Sequence, residues 1–520
     1  MDFIQRHAAS VMGVLSGFDR VRFRGTLRWL CYPDGLGKHL SVIGVLLKDF
    51  KGFMTDVTTR LRKSTEALAG TAGRPMKYLT NSSVSKEDVA REMAERDGVR
   101  EGLIGILSAV ELCRSFDIGW DERRRHLELR SALRKCLHYY HYWIHPEWGF
   151  MHARLQTWFP FTVHICINGR EWLARQMDRE NLAYVQRENC FVRIADVKRA
   201  QRLMDRQLRV NWGKMLNALV PHFHPIYKEL FPTCPSGYYW SADESEWATD
   251  VMFRSPGQLA ENYPRLIRYG IEHLGSREVM RFLGHRVPAQ GGVHGKFKGE
   301  VTTDLRCRPE GLRIKHRLNR NSIKMYDKQG SVLRVETTIY DAKDLRVYRP
   351  SEADPQGPKR WRIMRKAVSD MHRRAEFCQA ANERYLNSLA TVTEKTALGD
   401  LTAKLCRPIR WKAQRVRALN PLSTEDATLL EAVNRGEFTI QGFRNRDLRA
   451  ILHGKEPSDK RELRRQSASV TRKLRLLRAH GLIHKVPRTH RYQVSPAGRT
   501  AITALLSARA ADTAKLTSAA

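Results

Sequence analysis

Acidic residues are scarce for the number of basic ones: 55 Asp and Glu stand against 91 Lys and Arg in 520 residues, a formal net charge of +36. A surface so charged repels itself, which points to a polyanionic partner. Long apolar runs are missing. No stretch of about 18 apolar residues is available to cross a bilayer. The first residues, MDFIQRHAASVMGVLSGFDR, lack the basic segment and long apolar core of a signal peptide. The nine cysteines are scattered, with no CxxC pair. This excludes a zinc ribbon and a disulfide framework and leaves reduced thiols in a cytoplasmic, nucleoid- or ribonucleoprotein-associated protein. No GxxxxGK[ST] motif occurs, so no nucleotide cofactor is indicated. The loop Gly291-Gly292-Val293-His294-Gly295-Lys296 offers phosphate only a glycine-rich cradle. Repeats and low-complexity tracts are absent.

What is present is arginine interleaved with Trp, Tyr and His. Stacking on bases needs such aromatics, whereas a merely soluble basic surface does not. The charge is spread through folded segments and not gathered on one Lys-rich amphipathic helix, which favours nucleic acid over a membrane surface. DNA is the favoured partner, with structured RNA as the alternative. The sequence leaves the oligomeric state open.

The expected class is α+β and multidomain. Residues 1–130 are expected to be mostly helical, with one strand-like basic stretch, FDRVRFRGTLRWL (18–30), carrying Arg22, Arg24 and Arg28. Ser85 reads as the N-cap of a helix, and 99–116 reads as another because Leu103, Ile106, Leu107 and Val110 recur at helical spacing. Residues 131–349 form a central mixed sheet domain. There, two strands are expected around Phe159-Pro160-Phe161, a helix after Asn168-Gly169, a helix over 196–231, and four strands between 301 and 340. The Pro/Gly-rich segment 350–360 reads as a linker, 361–420 as a helical connector with a long helix over 361–392, and 421–510 as the last domain.

That last segment reads as helix, short strand, two helices, then two strands around a basic turn. It resembles the winged-helix regulators of the MarR type, above all in LRLLRAHGLI followed by YQVSPAGR. The resemblance covers about 80 residues and implies a DNA-reading helix and a wing. Candidate contacts are Arg465, Gln466, Ser469, Arg472, Lys473 and Arg475 on the helix, and Arg488 and Arg491 on the wing.

The second informative segment is NSIKMYDKQGSVLRVETTI (321–339), a hairpin with Gly330 in the left-handed position. Its register gives an apolar face and a polar face bearing Lys324, Tyr326, Arg334 and Glu336. Lys and Arg can hold a phosphodiester, Glu can hold a metal or take a proton, and Tyr can stack or attack phosphorus. The alternative is a solvated face with cross-strand ion pairs. Arg313, Lys315, Lys296 and Lys298 extend the basic surface. The strand pair is weakly similar to one in phage and plasmid rolling-circle replication initiators, over about 30 residues. That resemblance implies a nucleophilic tyrosine, for which Tyr326 is the candidate, and a Mg2+ or Mn2+ ion held by His or acidic ligands. His222 and His224 form an HxH pair, with Asp304 as a further ligand. His138, His141 and His145 would share a helical face, either as ligands or as packing. Asp19, Asp250, Asp304 and Glu336 could instead form a carboxylate site of the transposase kind. The function expected is a nucleic-acid-binding protein of a mobile element or replicon that nicks or joins DNA. The alternative is a non-catalytic regulator or ribonucleoprotein component.

Overall fold

The computed structural model describes residues 2–231, 237–285, 287, 299–308, 311–351, 353–390, 398–403, 405–435, 438, 442–454, 457, 459–487 and 489–510. Lys296, Lys298, Arg488 and the glycine-rich loop before Lys296 lie outside them. The fold is mixed, with a large sheet and many helices, compatible with the α+β class. The chain divides into two compact units. One comprises residues 12–252 and 336–379; the other comprises 1–11, 253–335 and 380–520. This division crosses the contiguous blocks expected from composition.

The unit of residues 12–252 and 336–379 is built on strands β1 (Val11–Thr26), β2 (Met76–Tyr78), β3 (Gly102–Asp121), β4 (His126–His145), β5 (Gly149–Gln156) and β6 (Val163–Asn168). Two further strands, β7 (Tyr184–Arg187) and β8 (Cys190–Ile194), pair separately. β9 (Tyr239–Phe253) completes the set with the later half of β13 (Val332–Ile339). The order is β13-β9-β1-β6-β5-β4-β3-β2. The β1, β6, β5, β4 and β3 neighbours are antiparallel, whereas β2 runs parallel to β3, so the sheet is mixed. In β1 the alternation is plain: Val21 and Phe23 are buried, while Arg20, Arg22 and Arg24 point to the other face.

Residues 99–116 are therefore not helical, and the N-terminal 130 residues are not mostly helical. Residues 103–109 of β3 are buried on both faces of the sheet. A strand covered on both sides loses its two-residue alternation and reads as an apolar run. The stretch 196–231 is broken into short helical pieces. The supposed linker 350–360 joins β14 (Arg346–Arg349) to β15 (Arg360–Ile363) in one antiparallel hairpin, and the helix beyond starts only at Met371. Ser85 does cap the helix Lys86–Arg96, accepting from the Asp88 N–H at 3.2 Å.

In the other unit, β10 (Val301–Arg308), β11 (Gly311–Leu318) and β12 (Asn321–Lys328) form an antiparallel meander that continues into the first half of β13. Ile314, Leu318, Ile323, Met325, Leu333 and Val335 are its buried side. Gly330 has φ +77°, the left-handed conformation expected for the turn.

The C-terminal part of this unit contains helices Thr424–Asn434, Asn445–His453 and Lys460–Ala479. Strands β18 (Ile483–Lys485) and β19 (Tyr492–Val494) and a last helix, Pro496–Ala510, follow. Leu429, Leu430, Leu448, Val470, Leu477, Ile483 and Ile502 share one core. A preceding hairpin, β16 (Ile409–Trp411) and β17 (Gln414–Val416), belongs to the same region. Asp426 pins the first helix. It is buried and takes two hydrogen bonds from Arg417, at 2.7 and 2.6 Å, and one from the Asn420 N–H at 2.8 Å. Burial alone would raise its carboxyl, but the Arg417 and Asn420 hydrogen bonds hold it below the usual range. A depressed carboxyl stabilises the fold above its unfolded value, near pH 4, and that contribution is lost as pH falls through the folded value. Hydrogen exchange of helix Thr424–Asn434 is therefore expected to accelerate below about pH 4. With Arg417 half exposed, Asp426→Asn is expected to cost roughly 1–2 kcal/mol at neutral pH. Unchanged exchange at both pH values in this variant would show the pair to be idle.

Candidate metal centre and nucleic-acid interface

Three neighbouring strands bring three carboxylates together. Asp19 of β1, Glu246 of β9 and Glu336 of β13 are 5%, 8% and 1% exposed. Their ligand oxygens lie within 4.8 Å of one another. Among the described residues this is the one group of three or more such side chains positioned to hold a metal ion. Like charges at that spacing repel by about 3 kcal/mol per pair at an effective dielectric near 20. The cluster therefore requires positive charge nearby.

Part of it comes from Arg170, which is fully buried. Its Nε is 3.7 Å from Asp19 and its Nη2 is 3.0 Å from Asp250. Asn168 caps the helix Gly169–Arg179 by accepting from the Arg170 and Glu171 N–H groups. Gly169 follows, and a Cβ there would fall 1.9 Å from the Phe18 carbonyl oxygen. Only glycine lets this helix start press onto β1 and deliver Arg170 beside Asp19. Asn168 also donates to Asn189 at 2.8 Å, and Asn189 in turn donates to Asp19 at 2.7 Å. On the outer side Arg20, half exposed, lies 3.4 Å from Glu246. Arg22 lies 3.4 Å from both Asp243 and Glu244. Arg24 follows on the same face, and the Arg28 guanidinium covers the Tyr239 ring at 4.0 Å.

Arg170→Met removes a cation that two buried carboxylates share. It is expected to destabilise the protein by about 3–5 kcal/mol, because the acids stay behind uncompensated. Denaturant unfolding measures this, and a loss under 1 kcal/mol would rule out the bridging role.

The donor set is all carboxylate oxygen, which suits Mg2+ or Mn2+ and not a soft metal. Asp19 and Glu336 belong to the acids the sequence brought forward. Glu246 was missed. It sits in DESE (243–246), an acidic run in a basic chain. That local charge reversal was the available signal. Asp250 is engaged by Arg170. Asp304 is on β10 and pairs with Arg306 and Arg317, each at 3.2 Å, so it is not a member of the triad.

The histidine ligands expected at 222 and 224 do not form a site. Pro221 and Pro225 break the segment into a 3-10 turn and not a strand. His222 is exposed, whereas His224 is buried among Phe161, Tyr227, Phe231 and Tyr238. Burial pushes His224 down to about 3, the mark of a neutral core imidazole. His138, His141 and His145 lie on strand β4, where 138 and 141 alternate to opposite faces. His141 packs, stacking on Trp143 with centroids 5.8 Å apart, and burial lowers it to about 3, while His145 accepts from the Glu147 and Trp148 N–H groups.

The polar hairpin residues do not form the solvated face that was the alternative to a phosphate-handling one. Arg334 and Glu336 are each 1% exposed. Lys324 and Tyr326 remain half-buried on β12. Tyr326 is directly opposite Arg313, and Lys324 opposite Lys315, with Arg306 and Asp304 next in register on β10. This meander face gathers Arg306, Arg313, Lys315, Arg317 and Lys324 around one acid. The Lys315 ammonium is pushed down, first by burial and then by Lys324, Arg317 and Arg313.

On helix Lys460–Ala479, Arg461, Arg464, Arg465, Arg472 and Arg475 are exposed at intervals of three, four and seven. They form a basic stripe. Gln466 and Ser469 are half-buried beside it. Lys473 turns away and pairs with Glu425 at 2.5 Å, so it is not on the stripe. Arg491 is half-buried, with Nη1 3.5 Å from the Gly442 carbonyl. No helix among the described residues is long and apolar enough to cross a membrane. No protein-family model, no curated protein and no solved structure matches the chain.

Proposed function

We propose that this protein binds nucleic acid and cuts or transfers its phosphodiester bonds, as a replication initiator or transposase-like protein of a mobile element or replicon does. The observation that carries the reading is the convergence of Asp19, Glu246 and Glu336, three buried carboxylates from adjacent strands, in a chain of net charge +36. These residues would hold Mg2+ or Mn2+, which when bound polarises a phosphoryl oxygen and activates water. The chain's own groups do the rest. Arg170 and Asn189 orient Asp19, and Arg20, Arg22 and Arg24 offer phosphate a cationic approach on the same strand. Tyr326 as a nucleophile is not needed by this reading. The C-terminal helices and β18–β19 pair fit a winged helix, with the arginine stripe supplying duplex contacts and the β18–β19 turn reaching the backbone.

The test is cleavage of single- and double-stranded substrates with Mg2+, Mn2+ or EDTA. Nicking that needs either metal supports the proposal. A second reading, a non-catalytic DNA or RNA binder, is favoured by the arginine stripe, which serves binding alone. Silence of every substrate with every metal, with binding intact, selects it.

A further inference from the structure

The β16–β17 hairpin stands over the C-terminal half of helix Lys460–Ala479, and between them lies a pocket of about 380 Å3. That is a ligand-sized cavity, at the small end of the ~300–1,000 Å3 range. Its lining is Trp411, Lys412 and Gln414 from the hairpin, Thr471, Leu474, Arg475 and Arg478 from the helix, and Tyr492 from β19. Two aromatic rings, three cations, an amide and a hydroxyl share the walls, and no acid does. None of the three cations has an ion pair among the described residues. Arg478 lies 5.3 Å and Lys412 5.2 Å from the Trp411 ring centroid.

The turn that carries the lip is itself unusual. Trp411 pairs with Gln414, so Lys412 and Ala413 are the two central residues of a tight hairpin. Both have positive φ, +49° and +61°. Such a turn favours Asn-Gly, and a residue with a Cβ costs roughly 1–2 kcal/mol in the left-handed region. The chain accepts that strain at the point that places Lys412 beside the pocket, as strained residues do at ligand sites.

We propose that this pocket binds one unpaired nucleotide of a nucleic acid strand. Trp411 and Arg478 form the platform on which the base stacks, Gln414 meets its polar edge, and Arg475 and Lys412 hold the flanking phosphates. The exposed arginines at 461, 464, 465 and 472 then lead the strand along the helix towards the pocket. The proposal rests on the nucleic-acid part of the preceding reading and is independent of the metal centre. It adds a distinction between paired and unpaired substrate that the basic stripe alone does not make.

The full-length protein is titrated with a fluorescent single strand, a blunt duplex, and the duplex with one unpaired overhang. A single strand containing 5-iodouracil is photo-crosslinked and the attachment site mapped by mass spectrometry. Crosslinks at Trp411 are expected. Trp411→Ala is expected to weaken single-strand and overhang binding about 5- to 100-fold, with blunt-duplex affinity changed less than about threefold. Trp411→Phe retains most of the affinity. Because Trp411 packs on the module's core, Arg475→Glu serves as a second variant that an exposed position tolerates, and it is expected to weaken single-strand binding too. Single-strand affinity within about twofold of wild type in both Trp411→Ala and Arg475→Glu overturns the proposal, as do crosslinks confined to other residues. Equal losses on blunt duplex overturn the preference for unpaired bases. If a free nucleoside monophosphate displaces the strand as well as an oligonucleotide does, the pocket serves free nucleotides and the strand assignment fails. Wild-type protein that binds no nucleic acid overturns this proposal together with the preceding reading, whereas normal wild-type binding with silent variants overturns this proposal alone.

Discussion

Glu336→Gln and Asp19→Asn are expected to abolish metal-dependent strand cleavage while leaving nucleic-acid binding within about threefold of wild type. Each change keeps side-chain volume and removes one negative ligand oxygen from a cluster of three. A bound divalent cation supplies several kcal/mol of stabilisation to the developing phosphoryl charge, so its loss corresponds to roughly a hundred- to ten-thousand-fold in rate. Glu246→Gln should behave likewise, whereas Asp304→Asn, in its own ion pairs with Arg306 and Arg317, should leave cleavage unchanged. The measurement is single-turnover cleavage at saturating protein, which separates chemistry from binding. Metal-dependent activity that survives in both Glu336→Gln and Asp19→Asn would remove the triad from the chemistry.

Affinity for DNA is expected to drop roughly a thousand- to a hundred-thousand-fold between 50 and 200 mM salt, as for proteins that neutralise about 6–10 phosphates. The arginine stripe on helix Lys460–Ala479 is an exposed source of those contacts. Removing Arg465 and Arg472 together should lower the slope of log affinity against log salt by about 2. The ion pair of Arg465 with Glu462 does not cancel this, because an exposed i,i+3 pair is worth little and releases its arginine readily. Lys473→Ala, by contrast, should leave the slope unchanged, since that ammonium is held by Glu425. Wild-type affinity that is flat across this salt range would contradict a phosphate-dominated interface.

What the sequence revealed follows from how each element is buried. β1, β5, β6 and β11 keep one face towards solvent or a polar environment, so their alternation is visible. β3 is enclosed on both sides at residues 103–109, and its leucines and isoleucines fall at helical spacing by coincidence. The pair of residues 222 and 224 had the spacing of a metal motif, but flanking prolines denied it the strand that such spacing needs. The triad shows the opposite limit. Asp19 and Glu336 were named among scattered acids without any spacing to select them, because the relation between them is set by strand order, β13-β9-β1, and not by distance along the chain. Glu246 was the member hidden in an acidic run. Arg170 was invisible because nothing local marks an arginine as fully buried.

The strand order has a consequence for biosynthesis. Two carboxylates are encoded within the first half of the chain, but the third is carried by β13, after the chain has left the first compact unit and built β10–β12. A ribosome adding roughly 5–20 residues per second needs some seconds between Glu246 and Glu336. During that interval the nascent chain already displays the arginines of β1 but holds only two of the three acids. A polypeptide cut short by a premature stop or a nuclease-damaged message thus carries these arginines without the complete carboxylate cluster. Completion of the protein, and not its first folded segment, is what assembles the cluster.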